Sequence, residues 1–74
     1  MKIKPLGANQ TELETSNGLV LFSYQTAVAC FLYGKGYFRT EQKWSVTTSK
    51  HITRWLNGNT AEVKPQAFFD NLVK

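Results

Sequence analysis

One cysteine and one histidine are all that this sequence offers to thiol and imidazole chemistry. Cys30 has no second thiol to pair with, so no intrachain disulfide forms, a thiolate metal site is excluded, and a reducing compartment is the natural setting. Long apolar runs are missing as well. The longest, Leu19 to Leu32, is broken by Ser23, Gln25 and Thr26, and it falls short of the roughly 18 residues a membrane span requires. Met1 to Gln10 lacks the apolar centre of a signal peptide, so the expectation is a cytoplasmic protein with no membrane partner. In that setting the triplet Asn9-Gln10-Thr11 carries no glycosylation meaning.

Catalytic sets are equally thin. His51 is the sole imidazole base, and its candidate partner Cys30 sits among Val28, Ala29, Phe31 and Leu32, where a thiol acts as a small hydrophobe. Glu12 and Glu14 share one face of a short strand with nothing nearby to perturb either. Gly34-Lys35-Gly36 lacks the spacing of a phosphate-binding loop and reads as a hairpin turn. No enzyme, no metal and no cofactor is expected.

What the chain does have is aromatics: five phenylalanines, three tyrosines and two tryptophans in 74 residues. A chain this short buries only about 60% of its unfolded surface, and rigid aromatic rings recover apolar area at low entropic cost. Dimerisation is a second route to buried surface and stays open. One domain spanning 1–74 is the expectation.

The periodicity predicts an α+β fold, an antiparallel meander of about three to four strands over 11–44 followed by one or two short C-terminal helices, with 1–10 as an extended arm or edge strand. Asn17-Gly18 marks a tight hairpin, since both residues tolerate positive φ. Leu19 to Phe22 is continuously apolar, which suits a central strand covered on both faces. From Tyr37 to Trp44 the sequence alternates, placing Tyr37, Arg39, Glu41 and Lys43 on a face read as solvent-exposed. After Trp44 the period changes. Ile52, Trp55 and Leu56 form a helical stripe over 47–57, capped by Thr47, Thr48 or Ser49 and stopped by Asn57-Gly58. Lys50, His51 and Arg54 fall on its outer side. Pro65 opens a second helix over 64–73, with Phe68, Phe69, Leu72 and Val73 on one side.

Charge is the most informative functional feature. The net +4 is carried wholly by residues 35–54, where Lys35, Arg39, Lys43, Lys50 and Arg54 face only Glu41, while the flanking segments balance. Cations on a strand face and a helix face, with Tyr37 available to stack, are what a nucleic-acid surface needs. The candidate site is therefore Lys35, Tyr37, Arg39, Lys43, Lys50, His51 and Arg54, with DNA or RNA as partner; an ordinary solvated face is the plain alternative. Thr48 to Gly58 resembles the recognition helix of phage-repressor-type helix-turn-helix domains, but residues 37–44 alternate as a strand where such a domain has a helix and turn.

Three strings, Leu21-Phe-Ser-Tyr-Gln-Thr-Ala-Val-Ala29, Gly36-Tyr-Phe-Arg-Thr-Glu-Gln-Lys-Trp-Ser-Val-Thr-Thr-Ser-Lys-His-Ile52 and Trp55-Leu56, resemble a small domain of bacteriophage and mobile-element proteins. In that pattern a proline is common where Ala27 stands here. The pattern carries no assigned activity. What the resemblance implies is origin: a phage or prophage accessory protein, for which a host protein, such as a defence or transcription component bound and inhibited, is the alternative partner.

Overall fold

A computed structural model describes residues 2–7 and 9–72. Five antiparallel strands follow one another in space as in sequence: β1 (Lys2–Gly7), β2 (Gln10–Thr15), β3 (Gly18–Ser23), β4 (Thr26–Leu32) and β5 (Gly36–Thr40). The chain then crosses over through α1 (Val46–Leu56) to β6 (Ala61–Lys64), which lies parallel to β5 at the sheet edge, and ends in α2 (Gln66–Leu72). The α+β class is as the sequence indicates, but the sheet has six strands rather than three or four. Lys2–Gly7, within the segment expected as an extended arm or edge strand, forms the edge strand β1, and Ala61–Lys64 forms a strand where no period could be read from four residues. Val73, expected on the apolar side of α2, lies outside the described residues.

The helices sit on opposite faces of the sheet. Leu21, Val28 and Ala29 pack with Ile52 and Leu56 of α1, whereas Val20, Ala27, Cys30 and Phe38 pack with Phe69 of α2. This is why β3 reads as continuously apolar: both of its faces are covered. A bulge in β4 serves the same end. Leu21 pairs with Ala29 but Phe22 with Ala27, so Val28 is the extra residue, and both Val28 and Ala29 turn toward α1. A turn at Tyr24-Gln25 and this bulge together account for the interruption between β3 and β4.

The Asn-Gly hairpin forms where expected, with a different geometry. Ser16 and Asn17 make the turn, and Gly18, with φ +152, is the first residue of β3. A Cβ there would lie 1.9 Å from the Phe31 carbonyl oxygen, so the close approach of β4 demands glycine. At the other end of β5 the expected alternation stops at Thr40. Glu41 still donates its amide to the Lys64 carbonyl at 2.8 Å, and the chain then bends away toward α1.

α1 is capped by Ser45, upstream of the residues expected to do so, whose hydroxyl accepts from the Thr48 amide at 3.2 Å. Asn57 stops the helix in the left-handed conformation with φ 49, and Gly58 follows at φ 85. Phe68 and Phe69 of α2 pack edge-on with centroids 5.1 Å apart, and Phe68 continues onto Phe38 at 5.6 Å.

Candidate nucleic-acid interface

The seven residues singled out by charge divide into three groups. Tyr37 and His51 belong to the interior of the α1 layer. The face of β5 read as solvent-exposed is the one that α1 covers, so Tyr37 is half-buried, with its ring 4.7 Å from Phe31 and edge-on to Trp55 at 5.8 Å. It is not free to stack on a base. Trp55 in turn donates its indole N–H to Glu12 at 2.9 Å, which gives that acid a structural task.

His51 points inward and is only 7% exposed. Its Nδ1 lies 2.9 Å from the Ser23 hydroxyl, which is also 2.9 Å from Thr48 Oγ1, and Ser45 Oγ donates to Thr48 Oγ1 at 3.3 Å. In one consistent assignment each hydroxyl donates once along Ser45, Thr48 and Ser23, with Nδ1 as the final acceptor. The chain of bonds fastens α1 to β3. Thr48 and His51 are one helical turn apart, so both follow the Ile52 and Trp55 stripe inward; the hydroxyl at the inward position of β3 is the signal that makes this legible. Cys30, by contrast, lies on the α2 face, so the sheet separates it from His51. Burial lifts its thiol from 9.0 to about 11.

Lys35 forms the second group alone. It occupies the exposed turn before β5, at the end of that strand remote from the α1 start.

Arg39, Lys43, Lys50 and Arg54 form the third group, and the fold gathers them. A cleft of about 750 Å³ opens where β5 passes into α1, lined by Arg39, Lys43, Trp44, Val46, Ser49 and Val63 among others. Beside it a shallow groove of about 450 Å³ follows α1 past Lys50, Thr53 and Arg54, sharing Val46 and Ser49 with the cleft. Arg39, paired across the ladder with Val63 of β6, is half-buried at the cleft floor. Among the described residues the one ion pair is Lys64 with Glu62 at 2.8 Å, so none of these four cations is neutralised by a carboxylate contact. Glu41 is the acid that also lines the cleft.

Trp44 was not among the expected site residues, yet it is the exposed aromatic at this place, with 42% of its surface open. It is nevertheless anchored. Its indole N–H donates to Gln66 Oε1 at 3.2 Å, and the same oxygen accepts from Thr40 Oγ1 at 2.8 Å. Gln66 Nε2 donates to the Ala27 carbonyl at 2.7 Å and to Asp70 Oδ1 at 3.0 Å, so every hydrogen-bonding position of this amide is engaged. Nothing in the local sequence around Gln66 announces that role.

The fold and this surface define a small α+β domain with a basic, aromatic-edged cleft at the junction of strand and crossover helix. The chain matches the family described as "Family of unknown function (DUF8033)" over residues 1–71 and belongs to it. No curated protein and no solved structure matches. No described helix is long and apolar enough to cross a membrane.

Proposed function

We propose that this protein is a non-catalytic nucleic-acid-binding module whose contact surface is the β5–α1 cleft and the adjoining groove, with Arg39, Lys43, Lys50 and Arg54 as the phosphate contacts. The observation that carries the reading is Arg39. Its side chain is half-buried at the cleft, meets no carboxylate among the described residues and has no nitrogen buried without a partner, so its guanidinium stays open to a phosphate oxygen through charge-assisted hydrogen bonds. Lys43, Lys50 and Arg54 extend the positive track from that point, and the resemblance to phage and mobile-element domains fits an accessory protein acting in a bacterial cytoplasm.

Salt dependence tests the reading. Four phosphate contacts release enough counterions for log K to fall with log salt at a slope of about −3, a loss of roughly 50- to 150-fold between about 50 and 200 mM. Arg39→Ala or Lys43→Ala should each reduce the slope by nearly one. Retention of neither DNA nor RNA at low salt refutes the proposal.

A second reading has its own observation. Val46 and Val63, 74% and 56% exposed, rim the same cleft beside Trp44, and such an apolar rim suits a host protein that the domain binds and inhibits. A stoichiometric protein partner that survives nuclease treatment of the lysate would favour this alternative over nucleic acid.

A further inference from the structure

Trp44 borders two concavities at once. On one side is the basic cleft; on the other is a smaller cavity of about 250 Å³ lined by Trp44 and Tyr24, by Val28, and by the hydroxyl residues Ser23, Thr26, Ser45 and Thr48. Its volume is below the roughly 300 Å³ at which pockets for drug-sized ligands begin, so it suits one heterocyclic ring system and not a whole nucleotide. Tyr24 is 52% exposed and holds φ 58, a left-handed conformation that is uncommon for a bulky residue. The turn that imposes it is tied down by the Tyr24 amide, which donates to the Asn9 carbonyl at 2.7 Å. Backbone strain of this kind tends to persist where it positions a side chain for use. Trp44 is thus held by Gln66 before any ligand arrives, and the Tyr24 side chain leaves from a backbone that is itself tied down.

From this arrangement we infer that the protein binds single-stranded nucleic acid, taking one unpaired base into the cavity between Tyr24 and Trp44 while the strand's backbone runs through the cleft past Arg39 and Lys43. The inference rests on the nucleic-acid reading and narrows it. In a duplex the bases are stacked and paired, and none can enter a cavity that narrow without being extruded at considerable cost. A single strand presents its bases freely, and every base has a face to stack, so the contact tolerates sequence. The hydroxyls of Ser45, Thr48 and Ser23 are engaged with one another and with His51, so of the lining hydroxyls a base edge meets chiefly that of Thr26, which demands no one base in particular.

Titration of the whole chain with oligothymidylate, oligouridylate and a mixed-sequence duplex of equal length, at low salt, tests it. The single strands should bind about tenfold or more tightly than the duplex and should quench tryptophan emission. Trp44→Ala should abolish the quench and weaken single-strand binding by roughly five- to 150-fold, the worth of one stacked base, with little effect on the duplex. Tyr24→Gly provides the variant that preserves folding, because glycine accepts φ 58 without strain; it too should weaken single-strand binding selectively. Duplex bound as tightly as single strand, with both variants unchanged, overturns the inference and leaves the basic surface standing. Binding of none of the three overturns both readings. Preference between the thymidylate and uridylate strands decides DNA against RNA, and either result upholds a single-stranded ligand.

Discussion

Replacing Gln66 by alanine should lower stability by about 2–4 kcal/mol, a large share of the roughly 4–11 kcal/mol expected for a domain of this length. The estimate follows from the amide's four partners. Thr40, only 4% exposed, loses the acceptor for its hydroxyl, and the carbonyl of Ala27, itself buried, loses a donor; an unsatisfied buried group costs about 1–3 kcal/mol. The bonds to Trp44 and Asp70 are solvent-exposed and add little, and alanine returns a few tenths of a kcal/mol in helix propensity. With a urea m-value of about 1 kcal/mol/M for so small a chain, the midpoint should fall by about 2–4 M at unchanged m. Circular dichroism during a urea titration measures this, and tryptophan anisotropy of the folded variant reports whether Trp44 has come loose. A midpoint within about 0.5 M of the parent, with anisotropy unchanged, would refute the reasoning. Gln66→Glu sharpens the comparison. It keeps the acceptor for Thr40 and Trp44 but removes the donor to Ala27 and sets a carboxylate beside Asp70, so it should lose stability while retaining the anchored indole.

Gly18→Ala should cost about 3 kcal/mol or more, or prevent folding, because strain at φ +152 adds to a collision with the Phe31 carbonyl; Gly34→Ala, with φ 78 but open space, should cost only about 1–2 kcal/mol by thermal melting. Cys30 should make stability fall at alkaline pH: the folded state keeps its proton up to about 11 while the unfolded thiol loses it near 9.0, so the contribution is complete below the lower value and disappears across that window, by about 2–3 kcal/mol. The stability gap between the parent and Cys30→Ala, followed by denaturant titration from neutral to high pH, should narrow by that amount, and a constant gap would contradict it.

Much of the fold was legible because its signals are local. Asn17-Gly18 announced a hairpin, Ile52 with Trp55 and Leu56 a helix, Asn57-Gly58 its end, and the unbroken apolar run of β3 a strand covered twice. What escaped depends on partners distant in sequence. β6 is a strand only because β5 pairs with it across the crossover. The candidate site divides in the same way. Charge density found the four clustered cations, but charge alone could not show that Tyr37 lies beneath Trp55 or that His51 meets Ser23, contacts spanning 18 and 28 positions respectively. Trp44 was invisible as a site residue for the same reason, since its anchor, Gln66, lies 22 positions away.

That both covering helices come from the last two-fifths of the chain bears on its synthesis. The five-strand meander emerges from the ribosome ahead of both helices, with Val20, Cys30 and Phe38 bare on one side and Leu21, Val28 and Ala29 bare on the other until α1 and α2 follow. A nascent sheet of that kind is an invitation to pair with its neighbours on a polysome. Its first strand answers the threat with charge and a missing amide, since Lys2 and Lys4 stand beside Pro5 on β1, so the edge exposed longest is also the one least able to recruit another strand.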